Sequence, residues 1–303
     1  MRLKSREVHK QHVDINGRTY QCYLKGNCTD ERLGDLVFFN GFFSGSNSWA
    51  YQTRIPFLLE HFRLVMFDYP SQGTSSPLRQ DITPEELVDD IITLLATLGV
   101  KNCVLIGHSL GGFIAGRLAA ALVEKPGNHI RVRGMLVCNS STRSPFSTDK
   151  LFREIARRFA LIPQHPNFPD NQDEQIKDIF RLFMPMAIGD NYLERMDDFE
   201  ADLLTTYATY NNDPEGLSCL LHSMLRGKKD VATFLAAFST VTCPVHIISG
   251  LEDKIFPPAM GHELAAAYPN ASLSELKNAG HSVMLEQHHA VNETLIDVVK
   301  SVF

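Results

Sequence analysis

Short apolar runs separated by turn signals open the chain. HVDI leads through Asn16-Gly17 into TYQCYL, a pattern that predicts a β-hairpin. DLVFFN (35–40) and FRLVMFD (62–68) are continuous apolar runs of the kind that fill central parallel strands. Between them SWAYQTRIPFLLEHF has helical spacing in its middle. Residues 83–98 read as a helix, with Thr83 as cap, Pro84 in the first turn and Glu86 completing a capping box. Leu87, Ile91, Leu94, Leu95 and Leu98 form its apolar face, and Gly99 closes it. CVLIG is then a strand, SLGGFIAGRLAAALVE a helix of small residues suited to close packing, and GMLVCNS (134–140) another strand. Strands alternating with helices of this length predict a doubly wound parallel sheet in the α/β class.

The alternation stops at Ser140. From about 146 to 240 only helical patterns occur: LFREIARRFALI, QIKDIFRLFMPM, YLERMDDFEADLLTTYATY and EGLSCLLHSML, broken by prolines. Strand signals resume at CPVHIISG (243–250), followed by a helix near 258–268, the strand SLSELK and a closing helix near 285–302. The expected organisation is a core domain in two parts, 1–145 and 241–303, interrupted by a helical subdomain at 146–240.

Composition narrows the class. The chain has 303 residues, 44% hydrophobic and 21% charged, as an ordinary globular enzyme would. A net charge of −6 without a polybasic run gives no footprint for nucleic acid or an anionic membrane. The basic N-terminus lacks the apolar segment of a secretory signal, and no apolar run reaches the roughly 18 residues of a transmembrane helix. Six scattered cysteines without a C-x-x-C pair predict no disulfide framework, and Cys103 and Cys138 read as small buried hydrophobes. The expectation is a soluble, cytoplasmic protein, a monomer or homodimer.

Candidate chemistry starts at VLIGHSLGGF (104–113). A nucleophile elbow needs serine on a sharp strand-to-helix turn, with small residues two before and two after it. Gly107 and Gly111 meet that need around Ser109, Gly112 adds another small residue, and the flanks read as strand and helix. The alternative is an ordinary glycine-rich turn with a solvated serine. A serine nucleophile requires a base, and the base an orienting acid. Asp253 falls in the loop after PVHIIS and His281 in the loop after SLSELK, so three strand-end loops converge on one rim. Glu252 is the near rival for the acid, while the loop after GMLVCNS offers Asn139, Ser140, Ser141 and Thr142 but no carboxylate. His246 lies within a strand, and His288 and His289 belong to the closing helix, where solvation is expected. The oxyanion donors are expected at the backbone N–H of Leu110 and of Phe42, in the loop Asn40-Gly41-Phe42-Phe43. Gly41, Phe43, His108 and Met284 are expected at the substrate. No H-x-x-x-H or Cys/His cluster points to a metal, and this chemistry needs no cofactor.

NGFF (40–43), FDYPSQGTS (67–75), GHSLGG (107–112), GLEDKIFP (250–257) and AGHS (279–282) together resemble the α/β-hydrolase superfamily, over nearly the whole chain. The resemblance implies an eight-stranded, mostly parallel sheet with the helical insertion as a cap, and Asp68 as a structural residue at the rim. It also implies a serine hydrolase cleaving a small-molecule ester or thioester, free or carrier-bound. Asn40-Gly41 stands where the family usually has His-Gly, and with the FD-x-P-x-x-G-x-S turn it is similar to 3-hydroxyacyl acyltransferases. Acyl transfer to an alcohol or thiol is therefore one alternative, and a non-catalytic binding protein of the same fold is another. Phe168, Phe180, Phe183, Met184, Met186, Met196, Phe199 and Tyr207 recur at near-helical spacing. Most should pack the cap, and a few should line an apolar slot over Ser109.

Overall fold

The computed structural model describes residues 7–125, 127, 129–142, 146–193, 208, 210–226 and 231–303. Its strands are β1 (His9–Ile15), β2 (Arg18–Gly26), β3 (Gly34–Phe39), β4 (Phe62–Phe67), β5 (Asn102–His108), β6 (Arg131–Cys138), β7 (Val245–Gly250) and β8 (Ala271–Leu276). They form an eight-stranded sheet in the order β1-β2-β4-β3-β5-β6-β7-β8. β1–β2 and β2–β4 pair antiparallel and all other neighbours pair parallel. The β1–β2 turn has positive φ at both Asn16 (50°) and Gly17 (78°), the signature that Asn-Gly supplies in a two-residue hairpin.

β3 and β4 are buried at every position, as their unbroken apolar runs require. Within β3, Val37 and Phe39 pack into one face of the sheet, while Leu36 and Phe38 pack into the other. Four helices cover the first face: α2 (Pro84–Thr97), α3 (Leu110–Glu124), α8 (Val231–Ser239) and α9 (Pro258–Ala267). The second face holds α1 (Pro56–His61) and α11 (His288–Val302). The Thr83–Glu86 capping box is fully formed and Gly99 takes φ +67° just beyond α2. Close approach of α3 depends on its small residues. A Cβ on Gly116 would sit 2.8 Å from the Phe238 ring.

Two expected elements are shorter than the pattern implied. The segment after β3 is α-helical only over α1, preceded by two short 3-10 turns. The closing helix is interrupted. A one-turn α10 (Val283–Glu286) is separated from α11 by Gln287 (φ −124°, ψ 43°), whose side chain donates to the Asn278 carbonyl at 3.0 Å. His288 is also not simply solvated, because its ring stacks on Tyr51 at 4.1 Å.

Between β6 and β7 the described α-helices are α4 (Phe146–Leu161), α5 (Gln172–Ala187), α6 (Asp190–Leu193) and α7 (Pro214–Arg226), before α8. Ile155, Phe159, Phe180, Phe183 and Leu217 form an apolar cluster of their own, which also takes in Phe43, Ile255 and Phe256 from the sheet's rim loops. Met196, Phe199 and Tyr207 lie outside the described residues. No helix among the described residues is long and apolar enough to cross a membrane.

Candidate active site

β3, β5, β6, β7 and β8 run parallel, so the loops at their carboxyl ends share one edge. Register sets the heights: Phe39 faces Gly107, His108 faces Cys138, and Cys138 faces Ile248.

Ser109 caps α3 with φ 56° and ψ −121°, a conformation costly for a residue with a side chain. Three neighbours enforce it. Ser109 N–H donates to the Cys138 carbonyl at 3.0 Å, and its own carbonyl accepts from Gly112 N–H (3.1 Å) and Ser140 Oγ–H (2.7 Å). The flanking glycines are required sterically. A Cβ on Gly107 would lie 2.6 Å from Gly112 Cα, and one on Gly111 would lie 2.5 Å from the Asn40 carbonyl oxygen. Leu110 is the first residue of α3, where backbone N–H groups have no intrahelical acceptor.

Asp253 and His281 meet directly, with Nδ1 of the histidine 2.8 Å from Oδ2 of the aspartate. Oδ1 of Asp253 accepts the backbone N–H of Ile255 (2.8 Å) and Phe256 (2.9 Å), so both carboxylate oxygens are committed. Glu252 points elsewhere and accepts from Asp190 N–H at 3.1 Å. Phe256 covers His281, ring centroids 5.3 Å apart.

His108 is buried, and its Nε2 lies 2.8 Å from the His281 carbonyl oxygen. Only a protonated nitrogen can make that contact, so Nε2 carries the hydrogen. Burial, and secondarily the nearby His281, holds the His108 imidazole well below its ordinary titration range, so the ring is neutral. Gly41 lies against it: a Cβ there would be 2.8 Å from His108 Nδ1 and 3.3 Å from Ser109 Cβ.

Two small cavities, about 40 Å³ each, meet at Ser109. Phe42 and Phe152 border both. The first arm continues over Leu110, Phe113, Leu221, Met224 and Phe256. The second passes Ser44, Ser48, His108, His281, Ser282 and Met284. Larger grooves open at the opposite, amino-terminal ends of β6 and β7, the greater about 570 Å³ between Arg131, Cys243 and Val302, far from this rim. Among the described residues no three His, Cys, Asp or Glu side chains form a metal-binding group.

Of the residues expected at the substrate, His108 and Met284 line the second arm and Gly41 abuts the elbow. Phe43 does not reach either cavity. Its φ of 65° turns the ring away into the helical block, where it is 1% exposed among Phe159, Phe180 and Phe183. Among the described residues of the Phe/Met stripe Phe183 alone borders one of these two cavities, while Phe180 and Met184 pack inside the block and Phe168 faces outward.

Asp68 is fully buried and holds the loop after β3, accepting Ser46 N–H at 3.0 Å and Tyr23 O–H at 2.9 Å. Burial raises its pKa to about 6. Asn40 ties the same loop to β4 through the Phe67 carbonyl at 2.9 Å. Asn139 was not singled out by sequence reasoning. Its Nδ2 donates to the carbonyls of Gly280 (2.7 Å) and His281 (2.8 Å), and its Oδ1 accepts Gly250 N–H (2.7 Å). One side chain thus joins the ends of β6 and β7 to the His281 loop. Glu286 performs a related task. One of its oxygens accepts from Gly280 and Gly189, each at 2.9 Å, which docks the end of α5 on that loop.

Residues 36–294 match the family model described as the alpha/beta hydrolase family. The chain belongs to that family. Among curated relatives of this hydrolase, the uncharacterised hydrolase YugF of Bacillus subtilis is 26% identical over 269 residues, covering 88% of this chain and 89% of YugF. Solved structures of the same fold include the enol-lactonase of Burkholderia xenovorans, with TM-score 0.77 and 22% identity over 96% of this chain and 100% of that one. A thermophilic esterase of Thermogutta terrifontis gives TM-score 0.71 at 19% identity, covering 97% of this chain and 99% of that one.

Proposed function

We propose that this α/β hydrolase is a serine hydrolase that cleaves a small ester or thioester through an acyl-enzyme. In this reading His281 takes the Ser109 proton as Oγ attacks the carbonyl carbon. Asp253 holds the imidazole in the tautomer with its proton on Nδ1 and stabilises the imidazolium. The backbone N–H groups of Phe42 and Leu110 receive the oxyanion. His281 then protonates the leaving oxygen or sulfur as the acyl–leaving-group bond breaks, and water, deprotonated by the same histidine, releases the acid. The helices of 146–240 act as a cap over the serine.

The reading rests on one observation. A serine held at φ 56° borders the same cavity as a buried histidine whose other nitrogen is bonded to a fully committed aspartate. The apolar first arm supports an apolar acyl group. At about 40 Å³ it favours a short one. A fluorophosphonate probe tests the core of the proposal: wild-type protein is expected to label at Ser109 and Ser109→Ala is not. Absence of labelling in the wild type would remove the nucleophile and with it the mechanism.

A further inference from the structure

The second arm has a polarity of its own, set by which hydrogens are already spent. His108 Nε2–H is committed to the His281 carbonyl at 2.8 Å, so the remaining ring nitrogen, Nδ1, is a bare acceptor. The His108 side chain borders the arm, and Nδ1 is buried with no partner among the described residues. Two serines on the same wall are committed in the same sense. Ser44 Oγ–H donates to the Gly41 carbonyl at 3.0 Å and Ser48 Oγ–H to the Gly45 carbonyl at 2.9 Å. Toward the cavity both oxygens have only lone pairs to offer. The wall formed by His108, Ser44 and Ser48 therefore asks for a donor, and an unpaired buried acceptor penalises any occupant that brings none.

Position and size narrow the occupant. The general acid must stand beside the leaving oxygen, so on the mechanism proposed above the leaving group lies in the arm that contains His281, and the acyl group lies in the other. One water needs roughly 10–15 Å³ of such space, so about 40 Å³ admits about three non-hydrogen atoms. Gly41 puts no side chain against that nitrogen: a Cβ there would sit 2.8 Å from Nδ1.

We propose that the arm beside His281 selects a compact alcohol leaving group bearing a hydroxyl, which donates its hydrogen to His108 Nδ1. His108 is then a specificity-determining residue, and the preferred substrates are short-chain esters of small diols or polyols. The inference rests on the Ser109 mechanism but is separable from it by experiment.

The test compares 2-hydroxyethyl butyrate with n-propyl butyrate, an isosteric pair differing in one terminal group, each rate normalised to the ester's hydroxide-catalysed hydrolysis. Wild-type kcat/KM is expected to favour the hydroxyethyl ester by about tenfold, the size of one well-made net hydrogen bond. In His108→Phe the ratio is expected to fall to about one, whatever the absolute rate. A wild-type ratio near one in protein that labels at Ser109 overturns this inference alone, as does a ratio that survives in His108→Phe. Failure to label at Ser109 overturns the mechanism as well. Should His108→Phe not fold, 15N-histidine-labelled Ser109→Ala protein supplies the second readout. The His108 Nδ1 resonance is expected to move upfield on saturation with the hydroxyethyl ester and to stay in place with the propyl ester. An unmoved resonance with both sinks the proposal.

Discussion

The carboxyl rim of the sheet and the helical block between β6 and β7 border the same cavities but are built on opposite principles. At the rim, buried polar groups are tied to one another. Asp253 makes three hydrogen bonds, Asn139 makes three, and Ser109 is held through its amide and its carbonyl. The helical block instead presents hydrocarbon, with Phe152, Phe183, Leu221 and Met224 toward the cavities and Phe159 and Phe180 at its centre. Directional bonds hold atoms to within fractions of an ångström and tolerate no missing partner, whereas apolar packing sets volume and tolerates exchange. The rim should therefore govern turnover, and the block should govern which substrates fit.

The largest break in that contrast is expected at Asp253. In Asp253→Asn the two backbone donors, Ile255 and Phe256 N–H, still require an acceptor, so the amide oxygen must take the Oδ1 position. The NH2 group then faces His281 Nδ1 and turns that nitrogen into an acceptor. The ring proton moves to Nε2, where it blocks uptake of the serine proton. A drop in kcat of about 10⁴ is expected, with the fold intact by circular dichroism. Activity within tenfold of wild type would show that His281 does not depend on this partner.

The same contrast explains what could be read without a structure. Ser109, Asp253 and His281 were legible as candidates because local rules point to them: glycine at two fixed offsets, and a position just past a strand end. The sheet was legible from unbroken apolar runs such as DLVFF, and α2 from its capping box. Asn139 was not, because its partners lie 111 to 142 residues away and the residue itself looks like an ordinary loop asparagine. Phe43 was misplaced for a conformational reason. Its place in the loop beside Gly41 and Phe42 put it at the substrate, but with φ at 65° its ring packs into the helical block. In the helical block, periodicity identified apolar positions without saying which partner each would meet. Much of YLERMDDFEADLLTTYATY also lies outside the described residues.

A second, smaller break concerns a rim residue outside the proposed catalytic set. Asp68 has its pKa raised by burial to about 6, against 3.8 ordinarily. The folded chain therefore binds a proton there more tightly than the unfolded chain. The stabilisation this gives is complete below about pH 4 and is lost as pH rises through about 6, up to about 3 kcal/mol. Asp68→Asn keeps the side chain neutral at every pH. The stability of the wild type relative to Asp68→Asn should thus decline between about pH 4 and 6 and stay level above that. Urea melts across this range measure it, and a flat difference would mean that burial does not raise the Asp68 pKa above its unfolded value.

The smallest effect should come from the helical block and sharpens the contrast by being small. Phe152 borders both arms at their junction, half-buried, with its ring 6.3 Å from that of Phe183. Exchanging it for leucine removes ring volume without stranding any polar atom, so no hydrogen bond at the rim loses its partner. The space gained adjoins the apolar arm, which lengthens the acyl group the site can accept. In Phe152→Leu the ratio of kcat/KM for hexanoate over butyrate esters of one alcohol should rise by about three- to tenfold, the value of one or two methylenes in an apolar pocket. If the ratio is unchanged while both rates fall together by a hundredfold or more, Phe152 acts through the alignment of the rim. The division between directional rim and volumetric block would then fail at this residue.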